Sequence, residues 1–263
     1  MRYAVENQTH QSLILAAGNG TRLRPISAGL PKPLVLFDGK PILEHVITGA
    51  HQAGIDQFVI VVGYGSDMIR RYFDRWLFDS QRSGNVSITW VENSDYHKHN
   101  GISVLKARDH IDGNFLLLMA DHIFDPETAR VLMDQPLGPR EVILAVDSGI
   151  DRIFDLEDAT KVRRDGNFIV DIGKGLAHYD ALDTGMFLCS PTLFDKLAAA
   201  TRDGNCSLSD GMRQMARERS LRALDIGDAL WQDVDTPEAL AHAEIMFDGH
   251  FRHEPIAESM TCV

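Results

Sequence analysis

Short runs rich in apolar residues alternate along this chain with segments in which apolar residues recur every three or four positions. The short runs are typical of strands that are buried in a sheet, and the spaced segments are typical of helices with one buried face. The predicted strands lie at 12–17, 58–62, 86–91, 115–120 and 141–146, and the predicted helices at 42–50, 68–77, 102–108 and 126–133. This alternation predicts parallel strands with helices on both faces of the sheet.

The pattern changes after residue 150. Residues 161–172 predict two strands around the turn signal Asp165-Gly166, and 173–189 become extended after an irregular stretch. Helices at about 191–200 and 208–218, a strand at 221–226 and a helix start at Thr236-Pro237 follow. The fold predicted is therefore α/β, a Rossmann-like three-layer sandwich with a mostly parallel mixed sheet and a small antiparallel insertion. We expect a single domain over 12–247 with the insertion at about 150–190, a frayed N-terminus over 1–11 and a tail over 248–263.

Composition and charge narrow the classes of partner. The 263 residues carry 26 basic and 38 acidic side chains, a net charge of −12, which disfavours binding to nucleic acid or to anionic lipid. Three scattered cysteines (Cys189, Cys206, Cys262) predict neither a disulfide framework nor a zinc site. Without an apolar signal core or a membrane-length apolar run, we expect a cytoplasmic protein with no membrane insertion.

A glycine-rich segment, Gly18-Asn19-Gly20-Thr21-Arg22, follows the first predicted strand. Glycines allow backbone N–H groups to approach a phosphate closely, and Arg22 and Lys32 can neutralise its charge. The segment is not a P-loop, because no Gly-Lys-Ser/Thr follows, and Leu23 stands where the dinucleotide-binding pattern needs a small residue. It therefore predicts a phosphate site of another kind.

Carboxylates stand where predicted strands end. Asp121 directly follows an apolar strand, and Asp233 and Asp235 lie two positions apart before the last helix. Ligands of open α/β sheets bind at this edge, and carboxylates together with substrate phosphates can hold Mg²⁺. For His122 we favour a packing role, with a ligand or base role left open. Lys174 and the polar segment 93–103 are weaker candidates, for an anion and for a nucleobase edge respectively.

Taken together, these motifs resemble the sugar-phosphate and phospho-alcohol nucleotidyltransferases. The resemblance covers about 12–247 and is strongest in Leu-Ala-Ala-Gly-x-Gly-Thr-Arg-Leu-x-Pro from Leu15 and in Pro-Lys-Pro-Leu from Pro31. The segments 119–123, 100–103 and 233–237 look closest to CTP:inositol-1-phosphate cytidylyltransferases, with phosphocholine and aminoethylphosphonate cytidylyltransferases as near relatives. The spacer 26–30 departs from the commonest pattern, so the loop over the triphosphate is expected to differ.

The resemblance implies a Mg²⁺-dependent in-line attack of a phosphate oxygen on the α-phosphorus of CTP, with inositol 1-phosphate as the acceptor and CDP-inositol and pyrophosphate as products. The acceptor phosphate is already an anion near neutral pH, so the enzyme must position two polyanions and offset their charge rather than supply a base. The implied catalytic residues are Arg22, Lys32 and Asp121. The implied nucleotide-binding residues are Ala16, Ala17, Gly18, Gly20, Thr21, Asn93, Asn100, Gly101 and Ser103. The implied acceptor-binding residues are Lys174, Asp183 and Thr184, and the implied metal ligands are Asp121 and Asp235, with Asp233 as a further ligand.

Other functions stay open at this stage. The acceptor could be phosphocholine, aminoethylphosphonate or a sugar 1-phosphate, the last with UTP or dTTP as the nucleotide. Outside the enzymes, the chain could be a nucleotide-binding regulatory subunit. Inositol enzymes of this kind are often fused to a membrane phosphotransferase domain, which this sequence lacks, so we expect a separate membrane CDP-alcohol phosphotransferase as a partner. A homodimer stays open.

Overall fold

The computed structural model of this chain describes residues 9–79 and 85–250. The strands are β1 (Gln11–Ala16), β2 (Leu36–Phe37), β3 (Lys40–Pro41), β4 (Gln57–Val62), β5 (Ser87–Glu92), β6 (Phe115–Met119), β7 (His122–Phe124), β8 (Val142–Asp147), β9 (Lys161–Asp165), β10 (Phe168–Gly173), β11 (Ala181–Cys189), β12 (Leu221–Asp225) and β13 (Trp231–Asp233). The α-helices are α1 (Ile42–Gln52), α2 (Ser66–Phe78), α3 (Asn100–Lys106), α4 (Pro126–Met133), α5 (Thr192–Ala200), α6 (Leu208–Arg217) and α7 (Pro237–Met246). These bounds follow the predicted elements closely.

A nine-stranded mixed sheet organises the fold, in the order β5-β4-β1-β6-β11-β8-β12-β10-β9. The first four strands are parallel to one another, and β8 and β12 also form a parallel pair. β11 runs antiparallel between β6 and β8. The last strand of the predicted insertion is thus a central strand of the sheet. β9 and β10 form a hairpin, and β9 also pairs with the first residues of β11.

Helices cover both faces of this sheet, as the predicted three-layer sandwich requires. Leu13 packs in one apolar cluster, with residues of α3, α5 and α6, while its neighbour Ile14 packs in the other, with residues of α1, α2 and α4. Successive side chains of a strand point to opposite faces, so an uninterrupted apolar run supplies both clusters. The α/β class and the layered architecture are confirmed.

A third, smaller apolar cluster fixes the loops at the carboxyl edge of the sheet. Leu23, which follows the glycine-rich segment, packs there with Ile42 and Leu240 of α7. Val234 is fully buried in the same cluster and stands between Asp233 and Asp235. The two loops that carry the candidate cations and carboxylates are therefore packed against each other.

The chain termini differ somewhat from expectation. Residues 1–8 and 251–263, which hold most of the predicted frayed N-terminus and tail, lie outside the described residues. Gln11 already begins β1, and the carbonyl oxygen of His10 accepts hydrogen bonds from the N–H groups of Asp56 and Gln57, at 3.3 and 3.2 Å. Strand β1 therefore starts one residue before the predicted domain boundary at residue 12. Within the two described ranges, the helices are all too short or too polar to cross a membrane.

Truncation of a central core side chain tests the sheet packing. Leu117 of β6 is fully buried, whereas Ile245 of α7 is 78% exposed. We expect Leu117→Ala to lower the free energy of unfolding by about 2–5 kcal/mol, because it leaves a cavity in the core. Ile245→Ala is the control and should change it by less than about 0.5 kcal/mol. Urea unfolding of the two variants and the wild type measures both values, and equal effects would contradict the described packing.

Candidate active site

Two adjoining cavities lie at the carboxyl edge of the sheet. The first, about 270 Å³, is lined by the backbone that follows β1 and by Arg22, Lys32, Asp121 and Asp235. The second, about 280 Å³, is lined in part by Lys174, Asp183 and Asp233, and it shares Asp235 with the first. Cavities at this edge are the usual binding sites of open α/β folds. The arrangement offers room for two ligands on either side of one charged centre.

Lys32 is the centre of the charge network between the cavities. Its ammonium Nζ donates to Asp121 Oδ2 at 2.6 Å, also contacts Asp235 Oδ1, and lies 3.7 Å from Asp233 Oδ1. Burial lowers the pKa of Lys32, but the charges of Asp121, Asp233 and Asp235 outweigh burial and raise that pKa above its usual range. Burial would raise the pKa of Asp121, but the charge of Lys32 and a hydrogen bond from His122 hold it far below its usual range. Lys32 and Asp121 are therefore both ionised.

Two of the carboxylates around Lys32, Asp121 and Asp233, fit a divalent cation together with His122, while Asp235 lies outside this group of ligand atoms. Ligand atoms of Asp121, His122 and Asp233 lie within 4.8 Å of one another. Asp233 Oδ1 is buried and accepts no hydrogen bond in the described part of the chain. Burial raises the pKa of the Asp233 carboxyl to about 6, mainly against the opposing charge of His122. A buried oxygen without a donor is stabilised by a cation, and Mg²⁺ accepts such carboxylates together with phosphate oxygens and waters.

His122 both packs and contacts the network. Strand β7 pairs with β13 so that His122 stands opposite Asp233, and its Nδ1 bonds to Asp121 Oδ1 at 2.8 Å. Its ring stacks on Trp231 with the ring centroids 6.0 Å apart. Burial lowers the pKa of His122, but the charges of Asp233 and Asp121 outweigh it and raise that pKa to about 9. Trp231, which was given no site role from the sequence, donates its Nε1–H to Asp147 Oδ2 at 2.9 Å.

The glycine-rich segment approaches Lys32 closely. Gly20 has a φ of +53°, and a Cβ atom there would lie 2.5 Å from Lys32 Cβ. Gly18 faces open space, and both glycines line the first cavity with Ala16 and Thr21. Ala17 is buried, and its carbonyl oxygen accepts the Tyr64 N–H at 3.1 Å. The segment therefore borders the first cavity as predicted, whereas Ala17 does not line that cavity and bonds to the Tyr64 backbone instead.

An ion-pair chain joins the two cavities. Asp158 Oδ2 accepts a hydrogen bond from Arg22 at 2.7 Å, and Asp158 Oδ1 accepts one from Lys174 at 2.5 Å. Arg22 also pairs with Asp235. Asp158 was missed in the sequence analysis, because it stands in an irregular acidic segment without a motif. The structure thus brings Arg22 and Lys174 together, although they come from distant parts of the chain.

Asp183 lies in the second cavity, as the acceptor role requires. Its Oδ1 accepts the N–H of Gly185 at 2.8 Å, and burial raises the pKa of its carboxyl to about 6 in spite of that bond. Thr184 is fully buried beside it and donates to the carbonyl oxygen of Ala145 at 2.8 Å. The side chains of successive strand residues point to opposite faces, so only Asp183 of the two lines the second cavity. The acceptor role predicted for Thr184 is thus not supported by its position.

The residues predicted to read the nucleobase are mainly structural in this fold. Asn93 is buried, its Nδ2 donates to Ser103 Oγ at 2.9 Å, and its Oδ1 accepts the Asp95 N–H at 3.0 Å. Gly101 packs against Cys206, where a Cβ atom would lie 2.7 Å from a carbonyl oxygen. Asn100 is exposed and borders the second cavity. Its Oδ1 accepts a hydrogen bond from the Leu208 N–H at 2.9 Å. The amides hold the segment after β5 in place rather than facing the first cavity.

Comparisons with known proteins show the family of this chain. The model of the MobA-like NTP transferase domain matches residues 12–223. The chain belongs to this family. A solved structure described as the inositol-1-phosphate CTP transferase from T. maritima superposes on this chain with a TM-score of 0.79, over 92% of this chain and 98% of that one. At 24% sequence identity, this likeness shows the shared fold.

Curated relatives of this chain carry several kinds of name. A protein of Rubrobacter xylanophilus named "Bifunctional IPC transferase and DIPP synthase" is 34% identical over 90% of this chain and 51% of its own length. A protein of the same name from Aquifex aeolicus is 28% identical, over 89% and 50%. The chain thus spans about half the length of these relatives. The "UTP--glucose-1-phosphate uridylyltransferase AglF" of Haloferax volcanii is 29% identical, over 89% of this chain and 95% of its own length.

The contact between the glycine-rich segment and Lys32 can be tested with two matched variants. Gly20→Ala places a Cβ atom against Lys32 at a positive φ, so we expect it to lower the free energy of unfolding by about 1–3 kcal/mol. Gly18→Ala meets nothing within 4 Å and should change it by less than about 0.5 kcal/mol. Urea unfolding measures both, and a harmless Gly20→Ala would contradict the described approach.

The charge on His122 predicts a pH dependence of stability. Its pKa rises from 6.5 to about 9 in the fold, so its stabilising contribution is complete below pH 6.5 and is lost as the pH rises through 9. Between pH 6.5 and 9.5, with a chelator present, we expect the wild type to lose about 1–3 kcal/mol more unfolding free energy than His122→Asn. The exposed His97→Asn should follow the wild type, and identical pH profiles for all three proteins would contradict the prediction.

Proposed function

We propose that this protein transfers CMP from CTP to inositol 1-phosphate, giving CDP-inositol and pyrophosphate. The observation that carries this proposal is the pair of cavities that meet at Lys32 and its carboxylates, with Arg22 on the first side and Lys174 on the second. Each substrate phosphate would thus have its own cation. The words "IPC transferase" and "inositol-1-phosphate CTP transferase" in the names of its relatives support the nucleotide and the acceptor.

In this proposal, catalysis is positioning together with charge neutralisation. The acceptor phosphate is an anion near neutral pH and attacks the α-phosphorus without a general base. The bond between the α-phosphorus and the oxygen that joins it to the β-phosphorus breaks, and pyrophosphate leaves with the electron pair of that bond. Arg22 and Lys32 stabilise the triphosphate and the leaving group, since both line the first cavity. The backbone at Gly18 and Gly20 lets the phosphates approach.

We further propose that the required cation is Mg²⁺, held by Asp121 and Asp235 with Asp233 as a third carboxylate. When bound, it would offset the negative charge of the phosphates that meet between the cavities. Lys32 contacts these carboxylates and also lines the first cavity, so its ammonium can donate to phosphate oxygens on that side. In this proposal, Lys174 binds the phosphate of the acceptor substrate, and the Asp183 carboxylate accepts hydrogen bonds from the hydroxyl groups of that substrate.

A second candidate is a sugar-1-phosphate uridylyltransferase. The observation that favours it is AglF of Haloferax volcanii, which this chain matches over 95% of the length of that relative. The charged centre suits both reactions, because both join a phosphate to the α-phosphorus of a nucleoside triphosphate. The nucleobase and the acceptor decide between them, and Asn93 and Ser103 are bonded to each other rather than free to read a base.

The substrates are tested by a grid of pyrophosphate-release assays. CTP, UTP, dTTP and GTP are each combined with inositol 1-phosphate, phosphocholine, aminoethylphosphonate and glucose 1-phosphate, with Mg²⁺ or with a chelator. We expect turnover with CTP and inositol 1-phosphate, and its loss when the chelator is present. Turnover with UTP and glucose 1-phosphate alone would replace the proposal with the second candidate. If no combination of nucleotide and acceptor gives turnover but CTP binds tightly, a regulatory subunit is favoured.

Removal of either cation of the first cavity should reduce turnover strongly. We expect Arg22→Ala and Lys32→Met to lower kcat/KM for CTP about 100-fold or more, because each removes a group that stabilises the leaving pyrophosphate. Lys40→Met, on an exposed lysine of β3, is the matched control and should retain wild-type kcat/KM. Circular dichroism verifies folding of each variant. A folded Arg22 or Lys32 variant with wild-type kcat/KM would exclude the assigned role.

A further inference from the structure

Asp158 contacts a cation of each cavity, Arg22 of the first and Lys174 of the second. Arg22 stands on the loop after β1 and lines the first cavity, whereas Lys174 directly follows β10 and lines the second. The two oxygens of one carboxylate bond to them, at 2.7 and 2.5 Å. The Asp158 carboxylate thus bridges the guanidinium group of Arg22 and the ammonium group of Lys174.

The two cations depend on Asp158 to different degrees. Arg22 has a second partner in Asp235, whereas Lys174 forms no other ion pair in the part of the chain that the structure describes. The Lys174 side chain is 60% exposed. A long exposed side chain samples many rotamers unless a partner restrains it. Asp158 therefore decides the position of Lys174, while Arg22 keeps a restraint without it.

The backbone that carries Asp158 is tied down on both sides. The preceding carbonyl oxygen, of Glu157, accepts a hydrogen bond from Nζ of the buried Lys161 at 2.8 Å. The carbonyl oxygen of Thr160 accepts the Asp183 N–H at 2.9 Å, which joins the segment to the central strand β11. The Asp158 N–H itself donates to Asp155 Oδ1 at 3.3 Å. The carboxylate is thus presented from a fixed segment.

We propose that Asp158 is a positioning residue that sets Lys174 for the acceptor phosphate and spaces it from Arg22. This inference rests on the proposed function, in which the acceptor phosphate must meet the α-phosphate of CTP between the cavities. Two phosphates that react with each other need their cations at a defined separation, because small misplacements of reacting groups are costly in rate. A carboxylate shared by both cations supplies that separation before either substrate binds.

The kinetic test is a split between the two substrates. We expect Asp158→Asn to raise KM for the acceptor about tenfold or more. KM for CTP should stay within about twofold of the wild-type value, because Arg22 still forms its ion pair with Asp235. Asp158→Glu should recover part of the loss. Asp151→Asn, which removes the same charge from an exposed position earlier in the segment, should behave as the wild type. An unchanged or lowered acceptor KM in Asp158→Asn would overturn the inference, since the carboxylate would then be neutral or a competitor of the phosphate.

A double-mutant cycle separates positioning from a general structural role. In a Lys174→Met background, Asp158→Asn should change the acceptor KM by less than about twofold, because the side chain that it positions is gone. If Asp158→Asn is equally harmful with and without Lys174, the residue acts on the fold rather than on the cation, and the inference is overturned.

A measurement without substrate keeps this inference distinct from the proposed function. The rate at which an amine-reactive ester acetylates Lys174, followed by peptide mass spectrometry, should rise about threefold or more in Asp158→Asn and stay unchanged in Asp151→Asn. An unchanged rate would refute the restraint whatever the activity. If the rate rises while the substrate grid shows no turnover, the proposed function fails and the restraint of Lys174 stands.

Discussion

The ammonium group of Lys32 needs its three aspartates, and much of the candidate active site depends on that need. A buried cation without partners is costly, so the fold must bring carboxylates to it from elsewhere in the chain. Asp121 comes from the end of β6, and Asp233 and Asp235 come from β13 and the residues after it. The glycine at position 20 is part of the same constraint, because its missing side chain leaves room for Lys32.

The charged centre also suits two anionic ligands, one in each cavity. Carboxylates gathered around one lysine leave an excess of negative charge, which a divalent cation and the nearby arginine can offset. Phosphates can then approach from both sides, with the glycine-rich backbone on one side and Lys174 on the other. The strongly acidic chain thus concentrates its functional cations where two polyanions are proposed to meet.

The mixed order of the sheet supplies the second cavity. β11 runs antiparallel between β6 and β8, and this places Asp183 and Gly185 beside the residues that follow β6. Gly185 has a φ of +77°, and a Cβ atom there would lie 2.7 Å from the ring of His122. The hydrogen bond from His122 to Asp121 therefore depends on a glycine in a strand far along the chain.

The sequence by itself determined the α/β class, the positions of the elements and the motifs at the strand ends. Apolar periodicity and the helix start at Thr236-Pro237 are local signals, and the structure follows them, with Thr236 as the N-cap of α7. The tertiary structure decided which polar residues face the cavities. Asn93, Ser103 and Thr184 are polar residues of the kind that bind ligands, but each is buried and bonded within the fold. Asp158 carries no motif, yet it joins Arg22 to Lys174. The physical reason is that side-chain partners are set by strand order and packing between distant segments, which local patterns in the chain do not encode.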